Sequence, residues 1–163
     1  INSPAQVVIA GHTAAVDRAM EGCKARGARR AIKLPVSAPF HCALMQPAQE
    51  RLKGDLAGLT FGDPAVPVVN NVDAAVVTAG AACREALVRQ VSGAVRWQET
   101  VERLVALGVT TFIEIGPGTV LSGLIKKISR EARVAHVEDP ASLERTAAAL
   151  GVEAAQGSAR AGS

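Results

Sequence analysis

Val109-Thr110-Thr111-Phe112-Ile113-Glu114-Ile115 followed by Gly116-Pro117-Gly118-Thr119 decides how this chain is read. The first seven residues are rich in β-branched and aromatic side chains, which predicts a buried strand. Gly116-Pro117-Gly118 then turns the chain sharply. From Thr119 to Ile128 the apolar residues Val120, Leu121, Leu124, Ile125 and Ile128 recur at helical spacing, so a helix is expected. Downstream, Arg133 to Val137 reads as another strand and Ala141 to Leu150 as another helix. Strand, helix, strand and helix in succession imply an α/β class with a mostly parallel sheet.

The upstream sequence extends the pattern. Gln6 to Ala10 predicts a short strand ended by Gly11, and Thr13 is placed to cap a helix carrying Val16, Met20 and Cys23 that stops at Gly27. Arg29 to Val36 predicts a second strand. A helix is expected from about Met45, with Pro47 tolerated in its first turn and Leu44, Ala48, Leu52 and Leu56 forming one apolar stripe. Val66 to Asn71 reads as a strand with Pro67 at its edge. Helices follow over Arg84 to Val91, stopped by Gly93, and over Trp97 to Leu107, closed by Gly108. The small, polar tail Gly151 to Ser163 is expected to be disordered.

Composition narrows the function classes. The chain has 163 residues, 48% of them apolar, enough for a real core and too many for a disordered polyelectrolyte. Its net charge is only +3, and Phe40, Phe61, Phe112 and Trp97 are its only aromatic residues. A basic stripe with aromatic stacking platforms is missing, which argues against nucleic acid as a partner. No apolar run approaches a membrane span of about 20 residues. Cys23, Cys42 and Cys83 fit no zinc or disulfide spacing, so reduced thiols, no metal and a cytoplasmic setting are expected. Ile1 is not a start methionine, and Asn2-Ser3-Pro4-Ala5 leads at once into an apolar run; the chain reads as one that begins inside a domain.

Of the three histidines, His12 sits at a strand-to-helix turn and suits a capping role, and His136 alternates with Ala135 and Val137 in a short strand. His41 ends the extended segment Ser37-Ala38-Pro39-Phe40 just before a helix, where scaffold-positioned loops carry site residues. It reads either as a packed structural histidine or as a general base, which needs one ring nitrogen free and the other held by an acceptor. Gln90, at the end of its helix, has a main-chain carbonyl without an intrahelical partner and could be that acceptor. Gly116-Pro117-Gly118 could present amides to an anion or simply make a tight turn. The basic cluster Lys24, Arg26, Arg29, Arg30 and Lys33 is either a solvated helix end or a surface for an acidic partner or CoA phosphates. No G-x-S-x-G stretch occurs, so a nucleophile elbow is missing.

Four stretches resemble the malonyl-CoA:acyl carrier protein transacylase family, in its order and spacing. They are Asn2 to Gly11, Pro35-Val36-Ser37 with His41-Cys42-Ala43-Leu44-Met45, Pro67-Val68-Val69-Asn70-Asn71-Val72-Asp73, and Ile115-Gly116-Pro117-Gly118. The resemblance covers the C-terminal half of the family and not the half bearing its serine, oxyanion-hole glutamine and carboxylate-binding arginine. It implies the C-terminal part of an α/β-hydrolase-like three-layer core over 37–150, half of an inserted ferredoxin-like subdomain over 1–36, and a tail over 151–163. It further implies ping-pong transfer of malonyl from CoA to the phosphopantetheine thiol of acyl carrier protein through a seryl ester, in fatty acid biosynthesis. Carried over by position, His41 is the general acid/base and Gln90 the residue whose main-chain carbonyl orients it. Phe40 would narrow the acyl pocket toward malonyl, and Arg29 and Arg30 would dock the acidic carrier. No cofactor beyond these substrates and a monomeric state are expected. A polyketide synthase acyltransferase domain and a non-catalytic carrier-binding module are the alternatives.

Overall fold

The computed structural model describes residues 1–152; most of the tail from Gly151 to Ser163 lies outside the described residues. Main-chain contacts divide the chain into two units, Ile1–Leu104 and the part from Val105 onward. The first holds helix α1 (Thr13–Ala25), a 3-10 turn (Ala43–Met45), α2 (Gln46–Ala57), strands β1 (Val68–Val69) and β2 (Val76–Val77), α3 (Gly80–Gln90) and most of α4 (Trp97–Ala106). The second holds β3 (Thr111–Ile115), α5 (Val120–Ile128), β4 (Arg133–Val137) and α6 (Pro140–Leu150).

In the second unit β3 and β4 pair in parallel, Thr111 opposite Arg133 and Ile115 opposite Val137, with α5 as the connection. Phe112 on β3 and Leu124 and Ile125 on α5 are buried together with Ala132. Strand side chains alternate between faces, so Ile113 and Ile115 point away from Phe112. Ile115 is 82% exposed, which corrects the expectation of a strand buried throughout. The cause is that β3 is covered on its Phe112 face alone within this unit. β4 matches its predicted bounds, and α6 starts one residue early at Pro140. Asp139 caps α6 by accepting from the Ser142 N–H at 2.7 Å, while the Ser142 hydroxyl reaches back to the Asp139 N–H at 2.9 Å. Gly151, at φ +68°, ends α6 in the left-handed conformation.

Glu114 ties the strand to the helix. Its carboxylate accepts from the main-chain N–H groups of Leu121 and Ser122 at 3.0 and 2.8 Å, in the first turn of α5. The Ser122 side chain and these N–H groups, with the His136 ring farther off, hold its pKa below the ordinary glutamate range. A depressed folded-state pKa stabilises the fold above the ordinary range, and that contribution is lost as the pH falls through the lowered value. Glu114→Gln is therefore expected to cost about 1 kcal/mol at neutral pH. The gap between variant and parent should narrow as the pH falls through the lowered value, as denaturant titrations stepped from about pH 7 into acid would measure.

In the first unit the helices predicted by periodicity form, but two predicted strands do not. Residues 7–10 and 30–36 run without strand pairing, and Val7 and Val36 are 66% and 60% exposed. A strand satisfies its main-chain groups against another strand, and among the described residues no neighbour pairs with either segment. The strand predicted over Val66 to Asn71 contracts to β1, which pairs antiparallel with an unpredicted β2. The turn between them is held by buried Asn70, whose Oδ1 accepts from the Asp73 N–H at 2.8 Å and whose Nδ2 donates to Ala75 O at 3.2 Å. Helix α3 begins at Gly80, four residues before its predicted start. A Cβ there would lie 2.1 Å from Phe61 O, so the close crossing requires glycine. Thr13 opens α1 but does not cap it: His12 is the capping residue, through its main-chain oxygen and without a side-chain bond.

Candidate active site

The segment before α2 sets the first half of the site. The approach expected to be extended is instead bent at Ser37 and Ala38, and the Cys42 thiol donates to Pro39 O at 3.1 Å, which closes a turn around the intervening residues. His41, between them, has φ +59°, in the left-handed region that a β-carbon disfavours. Such a backbone in a non-glycine residue is held by its surroundings and is concentrated at functional sites. Nothing in the sequence marked it.

The second half comes from the end of α3. Gly93 N–H bonds to Arg89 O at 2.9 Å, which closes the helix one residue before Gln90 O. The Gln90 carbonyl is left free, as helix-end carbonyls are. The structure brings it to 2.9 Å from His41 Nδ1, across 49 residues of sequence. A carbonyl oxygen can only accept, so Nδ1 carries the proton and donates it. In the neutral ring the Nε2 lone pair is then available. This is the geometry of a proton acceptor oriented from behind, with a main-chain oxygen where a carboxylate often stands.

The surroundings of the α3 terminus are polar and ordered. Arg89 pairs with Asp73 of the β1–β2 turn. Arg96 binds the same turn, with its main-chain N–H on Asn71 O at 2.7 Å and its guanidinium on Asp73 O at 3.0 Å. Arg96 also pairs with Glu99 and holds that carboxyl below its ordinary pKa. These contacts were not foreseen; the Asn70-Asn71-Val72-Asp73 run was the only sequence signal for them.

The other candidates are placed as follows. Phe40 is 50% exposed beside His41. In the basic cluster Lys24 pairs with Glu21, Lys33 with Asp17, and Arg26 bonds to Gly22 O. Arg29 and Arg30 are exposed and have no ion-pair partner among the described residues. In the second unit the Gly116-Pro117-Gly118 amides are occupied internally: Gly116 N–H donates to Val137 O at 2.9 Å and Gly118 N–H to the Glu138 carboxylate at 2.8 Å. The tight-turn reading holds there. His136 lies 3.7 Å from Glu138, and all three cysteines are free. Among the described residues no cluster of metal-ligating side chains occurs, and no helix is long and apolar enough to cross a membrane.

An oriented histidine beside a carbonyl-ended helix is a sparse site, and comparison with known proteins gives it a context. The malonyl CoA-acyl carrier protein transacylase of Salmonella typhimurium is 54% identical over 142 residues, which cover 87% of this chain and 46% of that protein. The acyl-carrier-protein S-malonyltransferase structure from Burkholderia pseudomallei superposes with a TM-score of 0.86 at 51% identity, over 90% of this chain and 48% of that one. A malonyl-transacylase in complex with a type II PKS acyl-carrier protein superposes with a TM-score of 0.84 at 54% identity, over 88% of this chain and 46% of its own. The chain thus spans about half the length of the curated relatives it matches, in their C-terminal portion. The acyl transferase domain family itself matches residues 1–154, across both units. By that match, and by an α/β fold shared with these structures at about half identity, the chain belongs to the acyl transferase domain family.

Proposed function

We propose that the complete protein transfers malonyl from CoA to the phosphopantetheine thiol of an acyl carrier protein, with His41 as general acid/base. The observation that carries this reading is the 2.9 Å contact of His41 Nδ1 with Gln90 O, which leaves Nε2 to move protons. A serine in the half of the enzyme that precedes this chain attacks the malonyl thioester carbon while Nε2 takes its proton. The carbon–sulfur bond breaks, and CoA leaves as a thiol with the proton returned by the imidazolium. In the second half-reaction the carrier thiol gives its proton to Nε2 and attacks the seryl ester, and the serine oxygen leaves with that proton. A neutral carbonyl stabilises the intermediate imidazolium less than a carboxylate would, so the dyad depends on geometry. The cycle calls for no cofactor. Labelled malonyl-CoA alone should leave an ester on the complete enzyme that added carrier protein discharges; absence of labelled enzyme would overturn the proposal.

The finer fold reading belongs to the same proposal: an α/β-hydrolase-like core over 37–150 and half of a ferredoxin-like subdomain over 1–36. The apolar, unpaired runs at 7–10 and 30–36 support it, since both have strand composition. We place the enzyme in fatty acid biosynthesis, cytoplasmic and monomeric. A type II PKS carrier, the partner of one solved neighbour, would dock by the same charge logic.

Arg29 and Arg30 are proposed as docking cations, because acyl carrier proteins are acidic and transient partners use charge steering. Arg29→Glu with Arg30→Glu is expected to raise the KM for carrier protein about tenfold at low salt, with the difference shrinking as salt screens it. An unchanged KM removes these residues from the docking surface. Phe40 is proposed to limit the acyl pocket. Phe40→Ser in the complete enzyme should raise methylmalonyl-CoA use relative to malonyl-CoA about tenfold, the scale of one methyl group in a pocket. Unaltered competition between the two substrates would count against this role.

A further inference from the structure

Resting on that reading of His41, we infer that Ser92 and Gln49 are positioning residues, whose side-chain hydrogen bond fixes the α3 terminus against α2 and so keeps Gln90 O on His41 Nδ1. Ser92 lies two residues beyond Gln90, and Gln49 lies in the first turn of α2, the helix that follows His41 and the short 3-10 turn. The Ser92 hydroxyl donates to Gln49 Oε1 at 2.5 Å, across 43 residues. Among the described residues it is the one side-chain to side-chain hydrogen bond between α2 and the α3 terminus. Both residues are half-buried, so water competes with the bond less than it would at the surface.

The need for such a clamp follows from the site. The His41 ring is exposed, and its side chain has one hydrogen bond among the described residues, to Gln90 O. Its orientation therefore depends on where two separate segments lie relative to each other. On one side the α3 end is already fixed. Gly93 packs so closely that a Cβ would come within 2.6 Å of Val72 Cγ2 and 2.7 Å of Arg89 O, and Arg89 is paired with Asp73. On the side toward α2, Ser92 with Gln49 is the corresponding tie. A shift of about 1 Å at a reacting group can cost about 100-fold in rate. Loss of one tie among several is expected to cost less, about tenfold.

The test is a variant series in the complete acyltransferase carrying this chain. Ser92→Ala and Gln49→Leu should each lower kcat for malonyl transfer about tenfold with the KM for malonyl-CoA unchanged, and the double variant should fall no further than either alone. Ser92→Thr keeps the donor and Gln49→Glu keeps the acceptor, so both should restore the rate. The Nδ1–H resonance of His41 should be broader in Ser92→Ala than in the parent. Because these conservative variants keep the local packing, a rate unchanged in Ser92→Ala, additive losses in the double variant, or failure of Ser92→Thr to restore kcat would each overturn the inference. His41→Ala in the same series separates the two readings. If it leaves the rate intact, the acid/base assignment fails; if it abolishes transfer while Ser92→Ala does not slow it, only the positioning role fails.

Discussion

His41→Ala in the complete enzyme is expected to lower kcat for malonyl transfer by about 10²- to 10⁴-fold, the usual contribution of a positioned acid/base. The KM for malonyl-CoA should change little, because in the proposed cycle the imidazole moves protons and does not hold the bound thioester. Stability should change little as well: the ring is exposed and gives up one hydrogen bond, to Gln90 O. Gln90→Ala makes the contrast. The acceptor is a main-chain oxygen, so alanine at the same helix end keeps it, and the rate should stay within about twofold of the parent. A His41→Ala enzyme retaining most of its rate would exclude the histidine from the chemistry.

The purified 163-residue chain alone is expected to show no malonyl transfer. It holds the imidazole oriented on Gln90 O but no G-x-S-x-G serine for the proposed cycle. It is also expected to unfold over a broad, weakly cooperative transition. Val7 and Val36 stand 66% and 60% exposed on segments with strand composition and no pairing partner among the described residues, and Ile115 and Val120 stand 82% and 72% exposed in the second unit. Surface of that kind contributes to cooperative stability only when something covers it. A steady-state assay with malonyl-CoA and carrier protein measures the first expectation, and circular dichroism in denaturant the second. Turnover above the uncatalysed rate would show that the nucleophile assignment is wrong.

The contrast between the two units explains which parts of the fold were legible. Phe112 to Ile128 announced a strand, a turn and a helix because each signal lies within a few residues of its consequence. Helical hydrogen bonds join residues four apart, so α4, α5 and α6 follow from local spacing with ends displaced by only a residue or so. β4 was legible for the related reason that its partner, β3, lies close by in sequence and pairs with it in register. The runs at 7–10 and 30–36 also carry β-branched residues, yet they remain unpaired among the described residues, because a strand is a property of two segments and not of one. The cap that Glu114 supplies to α5 was missed because a carboxylate on a strand carries no mark of the helix end it will meet.

For the site, residue types and local spacing already define which groups exist: an imidazole at position 41 behind a proline-punctuated approach, a helix ending at Gln90 before Gly93, and no elbow serine. Tertiary structure alone decided that the ring nitrogen and the carbonyl meet at 2.9 Å, that His41 takes a left-handed backbone, and that Ser92 faces Gln49. The physical reason is range. Helix ends and turns are set by interactions a few residues long, whereas a contact across 49 residues exists only after α2, α3 and the β1–β2 turn have packed, and its distance is fixed by all of them together.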